Sequence, residues 1–444
     1  MRVSLHHVKL VSWSCLLPLI LGACSLLGEE VSPLPANNGA PVLESATSDK
    51  AHPAMANFDI ALPPQNVNPR WTQAGGDTSH APGNMALSLA PIRFWSTDIG
   101  YGSSSDTKLL AAPIIVDGIV YTQDAHGYVS AFALSDGDRL WRTDLTPEEA
   151  DNESMGGGLA WANGNLFAST GYGQLVALRD MDGSILWRQD VGSPLRAAPT
   201  VSSGRVFVIS LENEMHVLDA TTGHKIWHHR GIAEDASLLG ASSPAVKDDI
   251  VVVPYSSGEL FGLRTQNGRL SWSEVLSVSR DVGGLPAISA IRALPVIADK
   301  HIYAISHSGR MTAIDQRSGT RIWEQDIAGD NTPAVVGNAV YVVTNDNKLT
   351  ALSRQHGKNL WSIPLEIYDK DDIEKDNILS WAGPTMAGGR LWVVSSNGIL
   401  AAFDPTDGGI LYYQKVGDSF YLPPIIADKV MLLLDDSGKL IALH

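Results

Sequence analysis

The chain has 444 residues, 44% of them hydrophobic, and a mean hydropathy of +0.00. These values predict a globular protein with a sizeable core. Its 32 basic and 48 acidic residues give a formal net charge of −16, which excludes nucleic acids and anionic membrane surfaces as charge-driven partners.

Residues 1–23 have the features of a bacterial signal peptide. Arg2 and Lys9 precede the apolar run VSWSCLLPLILGAC, which is too short to span a membrane. The run ends in LGAC, which resembles a lipobox, and the resemblance implies that a lipid is attached to Cys24. The alternative is an ordinary signal peptide with an incidental cysteine. Because Ser25 and not an aspartate follows Cys24, the analogy implies the periplasmic face of the outer membrane.

The cysteines and the following segment predict a tethered protein without disulfides. Cys15 leaves with the signal peptide and Cys24 carries the lipid, so the mature chain has no thiol pair. Residues 24–85 are predicted to be the lipid anchor and a flexible linker. The first two thirds of this segment are rich in proline, alanine, serine and asparagine and show no apolar periodicity.

Residues 86–444 contain an internal repeat of about 45 residues, which indicates one repetitive domain. Each repeat closes with a phrase such as ATTGHKIW (220–227) or QRSGTRIW (316–323), and the tryptophans mark the period. The repeat tryptophans are Trp95, Trp141, Trp187, Trp227, Trp272, Trp323 and Trp361. At the next position expected from this period, the sequence has Tyr412 and Tyr413 in place of a tryptophan.

Eight opening segments, such as AAPIIVDGIVYTQDAHG, stand before these phrases. Short β-branched runs separated by Asp-Gly, Ser-Gly and Thr-Gly turns are typical of antiparallel strands. Runs such as IVVVP are apolar on both faces, which favours sheets packed between neighbouring sheets. The sequence therefore predicts an all-β protein, an eight-bladed β-propeller of four-stranded antiparallel blades.

The two ends of the repeat region predict how the ring closes. The last repeat ends at His444 without a closing tryptophan phrase, whereas residues 91–100 contain Trp95 without an opening segment. We expect this N-terminal strand to complete the C-terminal blade, which removes two exposed sheet edges.

The closing phrase is interpreted as a structural latch. Gly223 can adopt a positive φ in the turn at low cost, and Trp227 is expected to wedge between adjacent blades. The alternative for the seven tryptophans is stacking on a sugar or a quinone. Their regular placement, once per blade, favours assembly of the ring.

The pattern Ala-x-Asp-x-x-Ser/Thr-Gly-x-x-x-Trp, followed closely by residues 313–323, resembles the quinoprotein-type propeller repeat. Two groups of proteins share this repeat. The lipobox, linker, length and blade number resemble the BamB family of outer-membrane barrel-assembly lipoproteins, which implies a non-catalytic scaffold. The alternative is a periplasmic dehydrogenase dependent on pyrroloquinoline quinone (PQQ). Those enzymes resemble one another in a vicinal disulfide over the quinone, which this mature chain cannot form.

No other chemistry stands out, so no cofactor, metal site or catalytic residue is predicted. His224, His228 and His229 lie close in sequence, but a strand turns alternate side chains to opposite faces. The acidic run 368–377 lacks the glycine of a calcium loop, which favours a solvated loop. A third possibility, a module that binds polysaccharide, has no specific sequence signal.

The family resemblance also implies where a partner binds. BamB proteins contact the barrel-forming subunit BamA through a loop with a Leu-x-Leu-Arg-like segment, and GSPLRAAP (192–199) occupies the equivalent place. Leu195 and Arg196 match this segment, and Leu195 is predicted either to be an exposed anchor or to pack beneath the loop. A second, acidic contact has no counterpart in LLGASSP (238–244). Other complex members and unfolded outer-membrane protein precursors are further expected partners.

Overall fold

A computed structural model describes residues 51–444 except 56, 151–154, 235–237, 277–288 and 370–377. The predicted signal peptide, Cys24 and most of the acidic run lie outside this part of the chain. The described residues form β-strands and one short 3₁₀ helix, Pro53–Met55. None of their helices has the length and apolar character needed to cross a bilayer.

The strands form eight antiparallel sheets, which confirms the predicted eight-bladed β-propeller. Two strands, β1 (Arg70–Trp71) and β2 (Arg93–Asp98), precede the others in sequence. Strand β1 pairs with the innermost strand of blade 1, so this blade has five strands and not the predicted four. In blades 1 to 4 the strands are β3 (Ile114–Val116), β4 (Ile119–Gln123), β5 (Tyr128–Ala133), β6 (Arg139–Asp144); β7 (Gly158–Ala162), β8 (Asn165–Ser169), β9 (Gln174–Arg179), β10 (Ile185–Asp190); β11 (Thr200–Ser202), β12 (Arg205–Ile209), β13 (Glu214–Asp219), β14 (Lys225–Arg230); β15 (Ala245–Lys247), β16 (Ile250–Pro254), β17 (Glu259–Arg264) and β18 (Leu270–Val275).

The other four blades repeat this plan, and β2 completes the last of them. In blades 5 to 8 the strands are β19 (Val296–Ala298), β20 (His301–Ile305), β21 (Met311–Asp315), β22 (Arg321–Gln325); β23 (Ala334–Val336), β24 (Ala339–Val343), β25 (Lys348–Ser353), β26 (Asn359–Pro364); β27 (Trp381–Ala387), β28 (Arg390–Ser395), β29 (Ile399–Phe403), β30 (Ile410–Lys415); β31 (Ile425–Ala427), β32 (Val430–Leu434), β33 (Lys439–Leu443) and β2.

The burial pattern explains why each repeat forms a blade. Every residue of β16 and β24 is buried, because both faces of these strands pack against neighbouring sheets. The outermost strands β10 and β14 are largely exposed. The core therefore lies between the blades rather than within one of them.

The ring closes through strands from both ends of the repeat region, as predicted. Strand β2 pairs with β33, and the register places Ser96 opposite Ile441 and Asp98 opposite Lys439. Blade 8 therefore joins the N-terminal part of the domain to its C-terminus.

Each repeat tryptophan joins its blade to the following blade. Its indole Nε1–H donates a hydrogen bond to a backbone carbonyl at the start of the turn that follows the third strand of the next blade. The donor and acceptor pairs are Trp95–Leu134 (2.8 Å), Trp141–Asp180 (3.0 Å), Trp187–Ala220 (3.2 Å), Trp227–Thr265 (3.1 Å), Trp272–Gln316 (2.9 Å), Trp323–Arg354 (2.9 Å) and Trp361–Pro405 (3.0 Å).

The junction between blades 7 and 8 differs for a topological reason. The acceptor turn joins the third and fourth strands, but in blade 8 these strands are the chain's last strand and β2, so no such turn exists. Tyr412 stands where the other blades have tryptophan, and its hydroxyl bonds to Gln414 of its own strand. Here Arg93 of β2 donates instead to the carbonyl of Val416.

The turn that receives each tryptophan requires glycine, which gives a matched pair of substitutions. Gly223 and Gly204 both have a φ of +73°. A Cβ on Gly223 would lie 2.8 Å from the Trp187 ring, whereas a Cβ on Gly204 would meet nothing within 4 Å. We expect Gly204→Ala to cost about 1–2 kcal/mol of unfolding free energy for the left-handed backbone. Gly223→Ala should cost about 1–3 kcal/mol more than Gly204→Ala, because its added methyl group overlaps the Trp187 ring.

Urea unfolding of both variants measures this difference. Equal losses for Gly223→Ala and Gly204→Ala would show that the contact with Trp187 contributes nothing to stability.

Residues 59–86, which we call the girdle, run around the central channel and bond to every blade. Asn338 of blade 6 bonds to Asp59 and Ala61, and Met85 bridges to Ala387 of blade 7. The other girdle contacts are Asn68–Asp428 (blade 8), Trp71–Ile115 (blade 1), Thr72–Trp161 (blade 2), Gln73–Val201 (blade 3), Thr78–Val246 (blade 4) and Ser79–Ile297 (blade 5).

The girdle corrects the predicted linker boundary at residue 85. Trp71 and Met85 are buried, and the backbone from Asn66 to Ala86 bonds repeatedly to the blades. The segment lacks periodicity because it passes from one blade to the next every few residues, so neither a helical nor a strand pattern develops. The packed part of the chain begins well before residue 86.

Candidate partner-binding face and central cavity

The antiparallel blades give the ring two different faces. The loops between blades and the turns between second and third strands lie at one end, which we call the loop face. The turns between first and second strands and between third and fourth strands lie at the other end, the turn face. The girdle belongs to the turn face, because Asn68 bonds to Asp428 and Arg70 to Asp117, both in turns between first and second strands.

A cavity of about 720 Å³ occupies the channel between the innermost strands. Gly75 and His80 of the girdle line it, as do Arg196, Leu239 and Arg292 from loops between blades. Because the cavity wall includes both the girdle and the interblade loops, the channel is a cup with its floor at the turn face and its mouth at the loop face.

The floor of the cup is held by a buried histidine. His80 is 3% exposed, and its ring Nδ1 lies 2.8 Å from the carbonyl oxygen of Pro295. Burial lowers the pKa of His80, so the neutral ring with Nδ1–H as donor is favoured. The bond ties the girdle to blade 5.

The charged side chains that line the cup differ in whether they have hydrogen-bond or ion-pair partners. Asp330 pairs with His307 at 2.9 Å, and Asp436 accepts a hydrogen bond from Ser103. The guanidinium groups of Arg196 and Arg292, which also line the cup, have no hydrogen-bond or ion-pair partner among the described residues. Among the described lining residues, Lys108, Arg196 and Arg292 outnumber the carboxylates of Asp330 and Asp436 by one, so the cup has a small excess of positive charge when histidines are not counted.

Leu195 is fully buried, so the prediction of an exposed leucine anchor is wrong and the packing alternative is correct. Its side chain belongs to the apolar cluster between blades 2 and 3, together with Phe167 and Val208. Its backbone N–H donates to Thr170 at 3.1 Å, which holds the loop against blade 2. Arg196, the next residue, is half-buried and lines the cup.

The following interblade loop carries an exposed apolar residue instead. Leu239 is 41% exposed and lines the same cavity. Ser242 fixes this loop by donating to the carbonyl of Ala293 at 2.8 Å. Asp235, the acid nearest in sequence to the stretch 238–244 in which the second, acidic contact has no counterpart, lies outside the described residues.

The described residues contain no cluster of three or more metal-binding side chains. Among the sequence-derived candidates, His228 lies 3.9 Å from Glu214, and His229 bonds to the Tyr255 hydroxyl at 2.9 Å. The two histidines therefore have separate surroundings. None of the described residues that line the cup is a cysteine; Cys15 and Cys24 both lie outside the described part of the chain.

A family model described as "Outer membrane protein assembly factor BamB" matches residues 103–363, more than half of the chain. The chain belongs to the BamB family. The assembly factor BamB of Yersinia pestis is 26% identical over 360 residues, which cover 80% of this chain and 89% of the relative. The Escherichia coli K12 BamB is 26% identical over 391 residues, covering 79% and 88%.

Solved structures share the fold of this BamB family member. The crystal structure of BamB from Moraxella catarrhalis has a TM-score of 0.65 at 17% identity and covers 80% of this chain and 98% of its own. A quinohemoprotein alcohol dehydrogenase from Pseudomonas putida has a TM-score of 0.66 at 14% identity and covers 84% and 80%. The architecture alone therefore does not separate the two groups.

Sequence reasoning missed Leu239, Arg292 and the girdle. Neither Leu239 nor Arg292 belongs to the repeated strand or turn pattern, and each lies in an interblade loop where the repeats differ. That departure from the repeat was the available signal, but it does not reveal which side chains point into the channel.

Proposed function

We propose that this chain is a non-catalytic outer-membrane protein assembly factor. The observation that carries the proposal is the BamB family match over residues 103–363 within a complete propeller. A lipid on Cys24 holds the protein at the periplasmic face of the outer membrane. The propeller binds a BamA-type barrel subunit and helps to position it, with the other complex members, for unfolded precursors.

The loop face is the proposed BamA-binding surface, with Arg196 as its first contact. The loop of Arg196 is held at two points, since Leu195 N–H bonds to Thr170 and Leu211 N–H bonds to the carbonyl of Pro194. A fixed loop loses little conformational freedom when a partner binds. A guanidinium group without an internal partner can pair with carboxylates or carbonyls of that partner.

Co-purification from membranes tests this proposal. Arg196→Ala should reduce recovery of the BamA-type subunit about tenfold, as expected for loss of an arginine hot spot. Cys24→Ser should move the protein from the membrane fraction to the soluble periplasmic fraction. Arg269→Ala is the matched control, because Arg269 is exposed on the turn face, and it should change neither result.

Two results would contradict the proposal. The first is that Arg196→Ala and the control Arg269→Ala both recover as much BamA as the unsubstituted protein does. The second is oxidation of an alcohol or sugar after reconstitution with quinone and calcium, which would favour the dehydrogenase alternative.

A further inference from the structure

Three successive interblade loops bring two arginines and a leucine to one side of the cup mouth. Arg196 lies between blades 2 and 3, Leu239 between blades 3 and 4, and Arg292 between blades 4 and 5. A Cβ on Gly240 would lie 3.6 Å from Nε of Arg292, so the loop of Leu239 and this guanidinium group are in contact range. We call these three residues the rim triad.

The rim triad is held in place by the backbone around it. A Cβ on Gly157 would lie 2.7 Å from the carbonyl carbon of Arg196, so this loop is seated directly on blade 2. Ala293, next to Arg292, accepts the hydrogen bond from Ser242, and Leu294 N–H donates to Thr332 at 3.1 Å. The cationic groups therefore extend from a fixed support.

The charge balance of the mouth favours an anionic ligand. The chain as a whole is acidic, with a formal net charge of −16. Among the described residues that line the cup, however, Lys108, Arg196 and Arg292 outnumber the carboxylates of Asp330 and Asp436. Asp330 pairs with His307, Asp436 accepts a hydrogen bond from Ser103, and the Lys108 ammonium donates to the Ser104 carbonyl at 2.6 Å. Arg196 and Arg292 are the wall's charged groups without such a partner among the described residues. Arginine pairs in a bidentate manner with carboxylates.

The apolar member of the triad distinguishes a peptide from a purely polar polyanion. Leu239 is 41% exposed beside Arg292, and Tyr421, from the loop between blades 7 and 8, lines the same cavity and is 50% exposed. Apolar side chains that remain exposed at a charged mouth gain free energy when an apolar partner covers them.

We propose that the rim triad binds an acidic polypeptide segment in which a carboxylate stands next to an apolar residue. The carboxylate pairs with Arg292 or with Arg196, and the apolar side chain covers Leu239. This inference deepens the proposed function, because it names the chemistry that a protein partner of the loop face must offer. It replaces the buried Leu195 with Leu239 as the apolar contact.

Fluorescence anisotropy with defined peptides tests the inference on the full-length protein. The probe is a labelled 12-residue peptide with two Asp-Leu pairs in a Gly-Ser background, measured at low ionic strength. Arg292→Gln and Leu239→Ser should each weaken binding about fivefold. Replacing Asp by Asn or Leu by Ser in the peptide should weaken binding similarly, and added salt should weaken the Asp peptide more.

The turn face provides a matched control for both kinds of substitution. Arg269 and Leu270 are adjacent and exposed on the turn face. Arg269→Gln and Leu270→Ser should leave the affinity for the peptide unchanged, and thermal unfolding of all four variants should match the unsubstituted protein.

Three outcomes would overturn the inference: equal affinity of the Asp and Asn peptides, equal loss from the turn-face controls, or tighter binding of a heparin tetrasaccharide than of the Asp-Leu peptide. The inference and the proposed function fail separately. No peptide binding together with Arg196-dependent recovery of BamA removes the inference alone, whereas peptide binding without any BamA recovery removes the proposed function alone.

Discussion

Deletion of residues 439–444 should abolish cooperative folding of the propeller. The deletion removes β33, which lies between β32 and β2 and therefore holds both halves of blade 8. Leu440, Ile441 and Leu443 are each no more than 2% exposed. Burial of each such side chain contributes about 1.5–3 kcal/mol, so their joint loss approaches the net stability of a typical domain, about 5–15 kcal/mol.

A matched pair of point variants distinguishes the contribution of the closing strand from a general sensitivity of this region to substitution. Ile441 is fully buried, whereas Ile92, next to β2, is 72% exposed. Ile441→Ala should lower the unfolding free energy by about 2–5 kcal/mol. Ile92→Ala should change it by no more than about 0.5 kcal/mol. Circular dichroism during urea unfolding measures both changes. If the protein without residues 439–444 unfolded like the intact chain, closure of the ring by β33 would be refuted.

The repeat made the architecture predictable because the same physical problem recurs in every blade. At seven of the eight junctions between blades, a turn with positive φ, as at Gly223, receives an aromatic side chain from the preceding blade, as with Trp187. A repeated requirement leaves a repeated phrase in the sequence. The closure of the ring could be predicted because the first and last repeats are incomplete. The tryptophan latch is missing between blades 7 and 8 for the same reason, since blade 8 is assembled from both ends of the repeat region.

The candidate site was less predictable because it lies where the repeats differ. The sequence located the loop with Leu195 and Arg196, but adjacent residues of a loop can point in opposite directions. Only the packing of Leu195 between blades 2 and 3 shows that Arg196 is the residue that lines the cup. Leu239 and Arg292 are 53 positions apart in the sequence numbering, and their proximity depends on the ring. No local pattern encodes such a contact.

The girdle shows a different reason why a segment can be mistaken for a linker. Gln73 accepts a hydrogen bond from the Val201 N–H at 2.8 Å, and six residues later Ser79 accepts one from Ile297. These blades are not adjacent, so successive girdle residues satisfy unrelated partners. A segment with this arrangement has the proline, glycine and asparagine content of a flexible chain although its backbone forms hydrogen bonds to several blades.

Substitution of Trp71 tests whether the girdle is part of the folded domain. Trp71 is 5% exposed, pairs with Ile115 of blade 1 and packs in the largest apolar cluster. Trp71→Ala should lower the unfolding free energy by about 3–5 kcal/mol, since it leaves a cavity between the girdle and the blades. Val67, 49% exposed in the same segment, provides the control, and Val67→Ala should have little effect. If urea unfolding of Trp71→Ala matched that of Val67→Ala, the girdle would contribute no more than a linker does. If the expected loss is found, the floor of the cup and the stability of the ring depend on the same residues.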